Sequence, residues 1–227
     1  MRTASIILTL LVICLPSASH AACIADQYGG LVCGEGKDAV RVVSDTTSPS
    51  KKLAFGWRTP VGLPTGHDLP MDPIENVLIR LDDGKVLTKL GGEYWATGEA
   101  TANRYDQVAA WTPDSRAVVE VSNNRWDSES FAYYAVDGDS VTKLDLRAVV
   151  EPVLKAKLPA SKREDYAFRV REDKPVKLDG SGHLGFTVML YVPKSDPEQD
   201  YEVAVDISTK AGKPAARIAS TRRVKAD

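Results

Sequence analysis

The sequence predicts a mainly β protein made of antiparallel, blade-like four-stranded meanders, and three observations carry that expectation. Short runs alternating apolar and polar residues recur along the chain, as half-buried strands require. Pro-Asp and Asp-Gly steps separate them and supply the backbone angles of tight hairpin turns. The hairpins also repeat, at offsets of roughly 55 to 70 residues, the period of one four-stranded unit.

The chain opens with Met1-Arg2, an apolar run over residues 6–15, Pro16 and then the small-residue stretch Ser17-Ala18-Ser19-His20-Ala21. Charge, apolar core and small-residue exit in that order read as a secretory signal peptide cut after Ala21, with a single mainly β domain over residues 22–227. The apolar run is far shorter than the roughly 20 residues of a membrane span, and no other stretch is longer, so no transmembrane span is expected. The compartment is the bacterial envelope, periplasmic or secreted. Lipidation of Cys23 is disfavoured because His20 stands where a lipoprotein signal wants an aliphatic residue.

Signal removal takes Cys14 and leaves Cys23 and Cys33, ten apart in an oxidising compartment. Two such cysteines read as a disulfide that pins the mature N-terminus. A metal site would need further ligands nearby, and no histidine or third cysteine follows there. The net charge of −2 becomes one unit more negative without Arg2. An acidic balance without a basic stripe argues against a nucleic-acid partner.

In chain order, residues 39–43 lead through Ser48-Pro49-Ser50-Lys51 into 53–57, and 76–81 turn at Asp82-Asp83-Gly84-Lys85 into 86–90. Residues 107–111 turn at Thr112-Pro113-Asp114-Ser115 into 116–121, and 131–136 turn at Asp137-Gly138-Asp139 into 140–144. Asp145 is an N-cap that opens one helix to about residue 157, with Pro152 inside it as a kink or early stop. The polar stretch 158–165 is a possible sub-boundary. Beyond it, residues 166–172, 185–192, 201–208 and 214–220 predict a final four-stranded sheet. The closing Arg222-Arg223-Val224-Lys225 reads as a solvated, frayed terminus.

Residues 48–55 match 112–119 in turn and strand, and 77–86 match 132–141. A weaker third copy begins at Asp179-Gly180-Ser181-Gly182. Trp111-Thr112-Pro113-Asp114-Ser115 followed by an aliphatic strand resembles the strand-turn-strand of TolB-like and WD40-like β-propeller repeats, and residues 48–55 are similar. The resemblance implies blades and no particular activity. Three units fall short of the usual ring of about four to eight blades. The expected architecture is therefore an incomplete propeller or stacked sheets, with a β-sandwich as the alternative.

Catalytic signatures are sparse. His67 and His183 are the histidines of the mature chain, and neither has a second histidine at metal-ligand spacing. Gly180-Ser181-Gly182-His183 lacks the nucleophile elbow and reads as a turn. Asp137-Gly138-Asp139 and Asp82-Asp83-Gly84 lack the rest of a calcium loop. No cofactor fingerprint is present, so neither a cofactor nor a metal is expected.

One constellation points to binding. Asn103-Arg104-Tyr105-Asp106 and Asn124-Arg125-Trp126-Asp127 share the pattern Asn-Arg-aromatic-Asp. A hairpin about residues 112–115 puts both at the end opposite its turn, where the loop carrying His67 and Asp68 also emerges. Long loops at one end of a β scaffold are where binding residues collect, and Arg with Trp or Tyr is enriched at binding hot spots. The candidate partner-binding residues are Arg104, Tyr105, Asp106, Arg125, Trp126 and Asp127, with Trp95 as an aromatic wall and His67 beside them. The competing reading has each arginine stacking on its ring while the Asp fastens the loop. Interaction with another envelope protein is the leading function. An exported hydrolase using rim carboxylates, or a structural or inhibitory envelope module, are the alternatives. The sequence leaves oligomeric state open.

Overall fold

The computed structural model describes residues 23–26, 30–64, 73–97, 100–101, 105–193, 198–210 and 212–225. The first sheet is a six-stranded antiparallel meander: β1 (Ile24–Ala25), β2 (Leu31–Cys33), β3 (Val40–Val42), β4 (Leu53–Arg58), β5 (Glu75–Arg80) and β6 (Val86–Lys89). A small hairpin follows, β7 (Ala96–Thr97) with β8 (Ala100–Thr101). The second sheet is the meander β9 (Asp106–Trp111), β10 (Ala117–Asn123), β11 (Ser128–Asp137) and β12 (Ser140–Asp145). Helix α1 (Leu146–Lys155) crosses to the third sheet, made of β13 (Ala167–Val170), β14 (Lys177–Leu178), β15 (His183–Tyr191), β16 (Gln199–Lys210) and β17 (Lys213–Val224). Its order is β13-β15-β16-β17, with β14 also paired to β15.

The repeat is visible at the level of single hydrogen bonds. In the first sheet's turn the Ser48 N–H donates to the Leu53 carbonyl and Lys51 N–H to the Ser48 carbonyl. Thr112 and Ser115 make the same two bonds in the second sheet, to Ala117 and Thr112. Lys51 and Ser115 both take left-handed φ, 59° and 61°. The side-chain oxygen of each turn's first residue, Ser48, Thr112 and Asp179, accepts from the first N–H of the next strand, at 3.1, 3.0 and 2.9 Å. That bond replaces one the backbone cannot supply in a turn. The second hairpins share a device too: Gly84, Gly138 and Gly212 all have positive φ, at little steric cost for glycine.

The sheets stack because each strand alternates its side chains. On the second sheet, Val118, Ala132 and Tyr134 face Leu53, Phe55 and Leu78 of the first. Val119, Val121, Phe131 and Tyr133 face the third sheet and α1. There Phe131 meets Phe186 edge-on at 4.8 Å between ring centres. Residues of α1 at 146, 150 and 154 point into the same core, which continues through Leu158 and so runs across the 158–165 stretch.

Asp145 caps α1 as expected, accepting from the Ala148 N–H at 3.0 Å. The helix runs through Pro152, which lies on its exposed face. Cys23 and Cys33 form a disulfide. The chain end corrects the sequence reading: residues 222–224 are the last of β17, where Arg222 sits opposite Glu202 and ion-pairs with it. Among the described residues no helix is long and apolar enough to cross a membrane.

Candidate functional site

The two ends of the stack differ. The tight turns at 48–51, 82–85, 112–115, 137–140 and 179–182 lie at one end, and those of the first two sheets are tied to each other. Ser50 N–H donates to Ser115 Oγ at 2.9 Å. Arg80 and Lys85 of the first sheet both ion-pair Asp139 of the second, at 2.5 Å each. Asp139 is thus held below the usual carboxylate range by Lys85 and Arg80. Asp139 aligns the first two sheets, while Asp83 holds Arg80 within its own hairpin.

The opposite end carries the hairpin loop 124–127 between β10 and β11. Asn124 Oδ1 accepts from the Trp126 and Asp127 N–H groups, at 2.7 and 2.8 Å, closing the loop on itself. The third sheet and α1 then fasten it. Asp127 accepts from Phe168 N–H at 3.2 Å and from Arg147 at 2.8 Å, and Arg147 also donates to the Ser128 carbonyl. Burial works against the charge of Arg147, but Glu151 and Asp127 outweigh it and raise its pKa. Arg169 donates to the Asn124 carbonyl, and the Tyr191 hydroxyl to the Trp126 carbonyl. Of the loop's side chains, this leaves Arg125 and Trp126 projecting. The Arg125 guanidinium lies over the Trp126 ring at 4.3 Å, and Trp126 is 37% exposed.

Beside this pair is an open cavity of about 490 Å³, lined by Asp106, Arg125, Trp126, Arg169, Glu172 and Tyr191, with Met189 and Glu198. Asp106 and Asn123 are cross-strand neighbours, so the start of β9 reaches the same place. Arg169 is buried and bonds Asp106 at 3.1 Å and Glu172 at 2.7 Å. Burial raises the pKa of Asp106, the neighbouring Glu172 charge raises it further, and Arg169 only partly offsets both.

The predicted constellation is therefore divided. Asp106, Arg125 and Trp126 meet at the cavity, whereas Asp127 is spent on the clamp. Tyr105 is one residue from Asp106 and so takes the opposite side of the strand. It packs with Trp57, Trp95 and Val43 between the first two sheets. Trp95 is 8% exposed and packs edge-on to Trp57, at 6.5 Å, away from the cavity. Arg104 and His67 lie outside the described residues. His183 sits at the tight-turn end, paired with Asp206 at 2.9 Å, and Ser181 bonds Asp179. Among the described residues no three metal-ligating side chains cluster.

A second basin of about 550 Å³ opens at the same end of the first sheet, where Glu75 bridges Arg58 and Lys89. Between the first two sheets, fully buried Glu120 accepts from Gly91 N–H, Ser122, Ser130 and Tyr134, at 2.9 to 3.0 Å. Burial raises its pKa against the opposing pull of the Tyr134, Ser130 and Ser122 hydroxyls. A Cβ on Gly91 would overlap Ser130, and one on Gly92 would overlap Ser122, so only glycine lets this crossing press against the second sheet. Arg147, Arg169, Glu172, Tyr191 and Glu198 were not legible as site residues, because they reach the loop only through the stacking of the third sheet.

No protein-family model matches the chain, and no curated protein matches it.

Proposed function

We propose that this chain is an exported bacterial envelope protein, released by cleavage near Ala21, that binds another envelope protein through the 124–127 loop. The observation that carries the reading is the clamp. The backbone N–H and C=O groups of Asn124, Trp126 and Asp127 are all hydrogen-bonded, while the side chains of Arg125 and Trp126 make no hydrogen bond or ion pair among the described residues. Holding an Arg–Trp pair rigid before binding lowers the entropy cost of association, and such pairs are common hot spots. The shared turn devices of the three sheets support the propeller-like reading of the scaffold. The disulfide is compatible with an oxidising compartment.

The test is crosslinked capture of the tagged mature protein from its host's envelope, beside an Arg125→Ala/Trp126→Ala variant shown by circular dichroism to be folded. The expected result is a partner recovered by wild type and lost by the variant. Equal recovery of the same partner by both would place binding elsewhere and overturn the loop as the contact.

A further inference from the structure

We infer that the cavity beside Trp126 receives a basic side chain, lysine or arginine, from the bound partner; this rests on the interaction reading above. Three carboxylates line the cavity, Asp106, Glu172 and Glu198, against two guanidiniums, Arg125 and Arg169. Arg169 is not available to an acidic ligand. Arg169 spends its donors on the Asn124 carbonyl, Asp106 and both oxygens of Glu172. Arg125 lies over the Trp126 ring with its donors free among the described residues, and counting both guanidiniums the lining still holds one acid in surplus.

The acids are in surplus. Asp106 and Glu172 crowd each other across one shared arginine, which is why the Glu172 charge adds to the upward shift of Asp106. Among the described residues Glu198 has no hydrogen-bond or ion-pair partner. A further cation would relieve the crowding and pair Glu198. The remaining wall suits the stem of such a side chain: Met189, the Trp126 ring and the Tyr191 ring offer apolar surface below charged groups. Lysine and arginine bury their methylenes on such surfaces while the head reaches the acids, and an aromatic face attracts the cation itself.

The test uses the oxidised mature protein and three small probes: the N-acetyl N-methylamides of lysine, arginine and norleucine. Binding is followed by the Trp126 indole N–H signal in ¹⁵N-correlated NMR, assigned with Trp126→Phe. Lysine and arginine probes are expected to give a saturable shift that norleucine does not. Glu198→Gln should weaken that binding about threefold to fivefold, the scale of one exposed ion pair. An equal response to norleucine, no response to any probe, or unchanged affinity in Glu198→Gln would overturn the inference. Failure here is separable from failure of the interaction reading. If envelope capture needs Arg125 and Trp126 while no basic probe reaches the cavity, the loop is the contact and the cavity is not its pocket.

Discussion

The tight-turn end and the long-loop end of the sheet stack use the same kinds of residue to opposite effect. At the turn end, polar side chains spend their bonds on neighbouring turns: Ser115 on Ser50, Asp139 on Arg80 and Lys85. The result is alignment of one sheet on the next. At the loop end, the bonds come from the third sheet and α1 and converge on a single hairpin loop, and the result is a fixed platform. Polar density alone does not mark a site. What marks it is which side chains remain after the framework's needs are met.

The loop end is most vulnerable at Arg147. Arg147→Ala leaves Asp127 and the Ser128 carbonyl without their charged donor, and should cost about 2–3 kcal/mol by urea unfolding, the upper range for bonds to a charged group. The same change should speed hydrogen exchange in residues 126–128, while amides at the turn end stay protected. At the turn end, Thr112→Val removes the bond to Ala117 N–H and should cost about 1 kcal/mol, with the loop end unaffected.

The smallest effect sharpens the picture of the cavity. Asp106 has its pKa raised in the folded state. Its contribution to stability is therefore full below the ordinary carboxylate value and is lost as pH rises through the raised one. Asp106→Asn should leave the protein as stable at neutral pH as wild type, or slightly more so. Its stability should also vary less with pH in the weakly acidic range. Denaturant midpoints across that range check this, and a clear loss of stability at neutral pH would contradict the sign.

Much of the fold was legible because it is encoded locally. The hairpins about 112–115 and 137–140 pair as their alternation and turn residues require, and Asp145 starts its helix. The two-residue strands β1 and β14 carry too little pattern to be read. The end of β17 was hidden because Arg222 and Arg223 look like a solvated tail until Glu202 and Tyr201 stand opposite them. Of the site, Asp106, Arg125 and Trp126 were legible, since one hairpin brings them together. Arg169 and Arg147 were not: each is ordinary in its own segment, and only the packing of β13 and α1 against the loop gives it a role. Tyr105 and Trp95 share the right end of the molecule but face the first sheet, Tyr105 because it flanks Asp106 on the chain and Trp95 because it packs on Trp57.

In the proposed interaction, Arg125 and Trp126 serve binding while their neighbours serve the framework. Urea unfolding of Arg125→Ala/Trp126→Ala measured beside Arg147→Ala tests it most directly. The expected result is a double variant within about 0.5 kcal/mol of wild type, the scale of surface changes away from structural features, and a much larger loss for Arg147→Ala. A double variant that falls as far as Arg147→Ala would mean that the pair holds the loop together, and would contradict the claim.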